Sequence, residues 1–383
     1  MDLSKIAAAL EQILERTGTP AHNDVPPIGD QSKPDLGKLL VALREIPELG
    51  VFDGQLQIVP GQASRVEYET LGSWLLKRAG EVGPSGAVED LSTFARAEEI
   101  PVKHISAVEG LKLSRSCTVD QALHLIFWEE VSETASKKYV RDLWEHQARF
   151  PTAALVHEYS VRKEYLFSAD TASNPIFNLR FEDQEVMLCA GLFGPVAPVV
   201  LASWTEFPAW FPRSGVSYSY VGPTDRSHDR GWPEEAYKEF PRLYEKFRSL
   251  HMPEREHLHV PLDRLNKAMR RLFPVDAAID LGIALEALFL SELDGDRGEL
   301  GFRLRVRGAR YLGHSTSERL RISKQLSSLY TARSVAVHTG VLSEEIDGTR
   351  VKSLLEQGYI LAAAAVRSMI EKGSPDWNEV IFS

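Results

Sequence analysis

From Pro253 onward the chain is written almost entirely in helical spacing, and that constrains the fold more than any other feature. Segments 261–273, 275–293, 299–312, 317–338 and 349–371 carry apolar residues at intervals of three and four. Between them lie Pro274, Asp294-Gly295-Asp296, Gly313 and Asp347-Gly348, which break helices rather than extend them. Helices joined by breaks this short pack against one another. The expectation is an all-α bundle of four or five helices over 255–372, followed by a tail at 373–383.

Upstream the texture is mixed. Residues 36–46, 69–79, 119–131 and 234–249 read as helices, the last with Trp232-Pro233 just ahead of its first turn. Strands are expected at VKHISAVEGLKL (102–113), ALVHEYSVRKEYLF (154–167) and GVSYSYVG (215–222). In VFDGQLQIVP (51–60) the Asp53-Gly54 pair gives a hairpin signal. VMLCAGLF and PVVLASW read as two buried strands joined by a Gly194-Pro195 turn. Segment 36–250 is thus expected to be an α+β domain, with a sensor or regulatory role. It holds no nucleotide loop of Walker or Gly-x-Gly-x-x-Gly type.

Residues 1–18 form a short amphipathic helix with Leu3, Ile6, Leu10, Ile13 and Leu14 on one face. Either this helix docks, on a partner subunit for example, or it is a frayed arm. The stretch 19–35, rich in proline and polar residues, is the expected linker.

Cys117 and Cys189 are the only cysteines, which excludes a disulfide framework and a cysteine-built zinc site. The N-terminus shows no apolar core followed by a cleavage site, so a cytoplasmic chain is expected. The uncharged run 186–205 is interrupted by Gly191, Gly194, Pro195 and Pro198, and no membrane segment is expected there. No cofactor is expected either.

A net charge of −10 argues against a general nucleic-acid binder, but the charge is unevenly placed. Residues 262–372 hold 17 basic and 14 acidic side chains, +3, which leaves −13 for the rest. Between Arg297 and Arg333 there are nine basic residues and two acidic ones.

Beside that basic stretch stands LYTARSVAVHTG (329–340), with Arg333 and His338 separated by four residues. Phosphodiester chemistry without a metal needs a fixed cation and a group that exchanges protons near neutral pH. Arginine and histidine supply these. Leu326, Tyr330, Arg333 and Val337 fall at helical intervals, so Arg333 lies on or beside the apolar stripe. A charge there needs a partner, and Glu286 is the expected one. His338 lies about 140° further round an ideal helix, although Gly340 can end the helix and loosen its last turn. Ser334, next to Arg333, can support by hydrogen bonding. Arg303, Arg307 and Arg310 share a helical face and are either an RNA-binding stripe or an ordinary solvated one. The plain alternatives for Arg333 and His338 are a buried ion pair and a surface histidine.

Three further signals are weaker. His257-x-His259 is at most half a metal site on a strand. Asp294–Glu299 reads as a turn before a helix. Trp204, Phe207, Trp210, Phe211, Tyr218 and Tyr220 are either core or, if they line a cleft, a sensing surface.

LGIALEALFL (281–290), ELGFRLRVRGARYLG (299–313) and LYTARSVAVHTG (329–340) together resemble a HEPN domain, particularly the Apea-like branch found in bacterial defence proteins. The resemblance covers 262–372, and an α+β region ahead of the bundle also resembles that branch. It implies an Arg–x(4–6)–His catalytic motif, here Arg333 and His338, and a homodimer whose two motifs form one composite site. It also implies metal-independent RNA cleavage by 2′-hydroxyl attack, used as a toxin or antiphage effector. A phage or host trigger would bind the N-terminal domain, whose acidity is expected to restrain the bundle. Ser334 and Thr339 depart from the residues common at those positions. Some HEPN domains serve only as dimerisation, nucleotide-binding or RNA-binding modules.

Overall fold

The computed structural model describes residues 3–17, 36–59, 62–147, 149–166, 175–212, 218–220, 230–290 and 299–382. The expected linker at 19–35 and most of the Asp294–Glu299 turn lie outside them. In chain order the elements are α1 (Ser4–Thr17), α2 (Gly37–Arg44), β1 (Asp53–Val59), β2 (Gln62–Glu67), α3 (Tyr68–Arg96), β3 (Glu99–Glu109), β4 (Cys117–Thr118) and β5 (Leu123–Phe127). Next come α4 (Ala135–Glu145), β6 (Ala153–Arg162), β7 (Glu164–Leu166), α5 (Pro175–Ala190), β8 (Val199–Glu206) and β9 (Tyr218–Tyr220). The remainder is α6 (Ala236–Ser249), α7 (Met252–Arg270), α8 (Pro274–Leu290), α9 (Leu300–Leu312), α10 (Thr316–Thr339), β10 (Glu345–Ile346), β11 (Thr349–Arg350), α11 (Val351–Lys372) and α12 (Trp377–Phe382). A mixed α/β region therefore precedes a mostly helical one. Among the described residues, no helix is long and apolar enough to cross a membrane.

The chain divides into two compact units. The first comprises Met1–Ile105, His157–Arg180 and Trp204–Ser219, and the second Ser106–Val156, Phe181–Ser203 and Tyr220–Ser383. The largest described sheet has six strands in the order β4-β5-β6-β3-β8-β9.

In the first unit, α1 packs on α2 and α3 of its own chain. Ile6, Leu10 and Ile13 are buried with Leu39, Leu43, Leu71 and Leu75. That is the docking face its amphipathic pattern requires. Helix α3 runs well past the expected end at residue 79, with a kink at Gly83 (φ 82°, ψ 161°) ahead of Pro84. The residue before proline is pushed out of helical geometry, while proline itself opens the second half comfortably. Strands β2, β1 and β7 form an antiparallel sheet. The pairing differs from the hairpin expected at 51–60: Asp53 opens β1 opposite Glu67, and Val59 at its far end pairs with Gln62. The described part of the aromatic cluster packs in or against core: Trp204 and Phe211 are buried, Phe207 stacks on Phe211 at 5.0 Å, and Phe207 and Trp210 are partly buried. The Tyr218 and Tyr220 side chains lie outside the description.

The second unit corrects two expectations. Segment 186–193 is not a strand but the end of α5 and the turn after it. Val186 through Ala190 are all buried, so this last stretch of the helix presents no polar face. A helix buried all round reads as a continuous apolar run, which periodicity cannot tell from an inner strand. Conversely, 119–131 is not a helix. Leu123 and Leu125 are buried in alternation along β5, and Val119 N–H donates to the Leu123 carbonyl at 2.8 Å to close the β4–β5 turn.

The five expected bundle helices are present as α7 to α11, and the tail carries α12. The expected boundary at residue 250 falls inside this unit. One apolar core runs from Val108, Leu155 and Val186 through Phe240 and Phe247 to Leu258, Leu285, Leu329 and Val366. Trimming the chain to 255–383 would strip away part of that core. Asp347 (φ 52°) and Gly348 (φ 74°) form the two-residue turn of the β10–β11 hairpin, both left-handed as a type I′ turn demands.

Candidate functional site

The motif lies on α10. Ser315 caps the helix start by accepting from Glu318 N–H at 3.2 Å, while Glu318 accepts from Ser315 N–H at 3.3 Å. That reciprocal pair fixes where the helix begins. Its far end is equally well defined: Gly340 is left-handed (φ 70°, ψ 6°), and its N–H donates to the Ala336 carbonyl at 3.0 Å. The helix stays regular through Thr339, so the loosened last turn expected from Gly340 does not occur. Arg333 and His338 remain about 140° apart around the axis and do not converge within one chain.

Arg333 is seated on a missing side chain. A Cβ placed at Gly282 of α8 would stand 2.2 Å from Arg333 Cγ and 2.7 Å from its Cβ, far inside contact distance. The arginine stem therefore lies against the α8 backbone. One turn further along the same face, Glu286 Oε2 accepts from Arg333 Nη2 at 3.2 Å. Both side chains are largely withdrawn from water, at 28% and 25% exposure. Arg333 Nε is buried and has no hydrogen-bond partner among the described residues. The guanidinium is thus fixed by packing and one ion pair, with donor capacity to spare.

Burial pushes the Glu286 carboxyl above its ordinary range, and Arg333 pulls it back only in part. A carboxyl whose pKa rises on folding binds more protons in the folded state. Its ionisation then costs stability as pH rises through the window above the ordinary carboxylate value. Glu286→Gln should therefore gain stability relative to wild type as pH rises above the ordinary carboxylate range. Urea unfolding at several pH values checks this, and a gap that narrows in favour of wild type contradicts it.

His338 is exposed on the last turn of α10, flanked by Val337 and Val341, which are 47% and 65% exposed. Ser334 is half-buried beside Arg333. The middle of α10 is also braced from the hairpin, as Ser328 Oγ donates to Asp347 Oδ2 at 2.7 Å.

The expected basic stripe is split by its contacts. Arg307 Nη1 donates to the Phe289 carbonyl at 2.8 Å, and its guanidinium lies over the Trp377 ring at 4.9 Å. It closes the end of α8 and anchors α12. Arg303 and Arg310 are half-buried on α9. Nearby, Arg305 donates to the Gly301 carbonyl, Arg319 to the Gly313 carbonyl and Arg321 to the Gln325 amide. These acceptors are neutral, although Arg321 also lies in the field of the Glu318 carboxylate. His257 and His259 lie on α7 rather than a strand, where a two-residue step points them apart.

The residue that sequence reasoning missed is Gly282. A lone glycine four positions before Glu286, inside a helix of otherwise strong formers, was the available signal. No family model, curated protein or solved structure matches the chain.

Proposed function

We propose that the chain is a metal-independent endoribonuclease of HEPN type that acts as a homodimer in the cytoplasm. The observation that carries this reading is Arg333, locked between Gly282 and Glu286 on an unbroken helix whose exposed end presents His338. Since the two residues diverge within one chain, a second copy must bring its own motif to complete the site. The exposed Val337 and Val341 around His338 suit such pairing.

In this reading one His338 takes the proton from a ribose 2′-hydroxyl, whose oxygen attacks phosphorus. The His338 of the second copy gives a proton to the departing 5′-oxygen. The Arg333 side chains offset the extra negative charge on phosphorus, and Ser334 supports by hydrogen bonding. The products are a 2′,3′-cyclic phosphate and a 5′-hydroxyl. Arg303 and Arg310 serve the RNA backbone, whereas Arg307 is given over to packing. The role is that of a toxin or antiphage effector, with a phage or host trigger acting through the mixed α/β region.

The Arg333–Glu286 pair also favours a second reading. There the arginine is structural, and the bundle dimerises or binds RNA or a nucleotide without cleaving. The test is the purified full chain with end-labelled RNA in EDTA. Fragments ending in cyclic phosphate support the enzyme. Binding without cleavage, with or without added phage lysate, overturns it in favour of the module.

A further inference from the structure

Away from the motif, the second unit holds a cavity of about 430 Å³ between α11, the loop after α5 and the segment leading to α6. Its walls are fixed by specific contacts. The Tyr359 hydroxyl lies between the carbonyls of Gly191 and Val196, which ties the loop to α11. Phe193, on that loop, packs edge-on to Trp232 at 6.5 Å and to Phe240 at 6.1 Å. Trp232 Nε1 in turn donates to the Ala190 carbonyl at 3.1 Å. A cavity framed this way is present before any ligand arrives.

Two arginines face it. The Arg367 guanidinium lies over the Phe193 ring at 5.4 Å, which fixes its plane. Arg230 is positioned by its backbone, whose carbonyl accepts from Lys112 N–H at 2.9 Å. Neither arginine has a carboxylate partner among the described residues. Three other half-buried arginines of this unit do find one: Arg264 and Arg271 both pair with Asp280 at 2.7 Å, and Arg255 pairs with Glu185 at 2.6 Å, whereas Arg305 and Arg319 bond to backbone carbonyls. Two planar cations on the wall of one formed cavity, neither with a carboxylate partner among the described residues, suit an oxyanion.

The volume is several times what a bare oxyanion fills, and the remaining lining includes Leu192, Pro195, Met269, Ile360 and Ala363. Glu235 and Glu356 also line the cavity, which disfavours ligands of high negative charge. We propose that this cavity binds a small organic acid: one carboxylate or phosphate group, held by Arg230 and Arg367, on an apolar ring-sized body. The inference is independent of the ribonuclease reading, because the cavity and the motif share no residue.

The test is isothermal titration of the full chain with probes of one body and different heads: 1-naphthoate, 1-naphthyl phosphate and the neutral 1-naphthalenemethanol, with inorganic phosphate alone. Saturable binding of either anionic probe, roughly tenfold or more tighter than the neutral one, is expected. The preferred head then tells carboxylate from phosphate. Arg367→Gln should weaken that probe by a similar factor. Because Arg367 also packs on Phe193, Ile360→Glu provides a second variant. Ile360 is 64% exposed, so the change adds a negative charge to the cavity lining at little cost to folding. Equal binding of charged and neutral probes, binding unchanged in both variants, or no binding of either anionic probe would overturn the proposal.

Discussion

Replacing His338 with alanine is expected to lower RNA cleavage by roughly a hundredfold to ten-thousandfold, the usual worth of a positioned acid–base group. The unfolding curve should stay in place. His338 is exposed on the final turn of α10 and is not part of the buried core, so its removal should change stability by no more than about 0.5 kcal/mol. This separation of effects makes it the cleaner of the two motif residues to remove. Arg333→Ala would strip Glu286 of its partner and empty the seat on Gly282, which mixes chemistry with folding. Cleavage by His338→Ala at the wild-type rate, in a protein of unchanged fold, would remove the acid–base role altogether.

Gly282→Ala is expected to destabilise the chain by roughly 1–3 kcal/mol, the cost of forcing a methyl group into a filled space. The sign is the informative part. At an ordinary position inside a helix the same change stabilises by about 0.5–1 kcal/mol. Here the new methyl would stand 2.2 Å from Arg333 Cγ, so either α8 and α10 separate or the arginine leaves Glu286. Arg333→Ala deletes that Cγ and should recover part of the loss. Urea unfolding of wild type, both single variants and the double variant therefore measures a coupling of about 0.5–3 kcal/mol. If Gly282→Ala stabilises the protein, the arginine is not seated as described. If it destabilises equally with and without Arg333, the strain lies elsewhere.

How much of this was readable beforehand follows from how each residue is buried. Helices α7, α9, α10 and α11 each keep a wet face and α8 is bounded by Pro274, so apolar stripes and Pro, Gly and Asp-Gly breaks located them to within a few residues, apart from the start of α7. Helix α5 ends buried on every side and lost the period that would have identified it. The Asp-Gly signal for a hairpin was sound chemistry applied to the wrong pair: Asp53-Gly54 begins a strand, while Asp347-Gly348 makes the tight turn. The ion pair between Arg333 and Glu286 followed from the cost of placing a charge on an apolar stripe. That Arg307 would turn to a carbonyl and a tryptophan ring could not follow from spacing. Three arginines on one face look alike until α12 is folded against one of them.

The central claim is that two chains are needed to assemble one site, because the regular helix holds Arg333 and His338 apart in each. A single dilution series tests it, with RNA cleavage per chain and sedimentation measured on the same samples. The expected result is cleavage per chain that falls in step with the dimer fraction and vanishes where only monomer sediments. A monomer that cleaves at the undiluted per-chain rate would contradict it, and Arg333 and His338 would then have to act within one chain across a helix that keeps them on different faces.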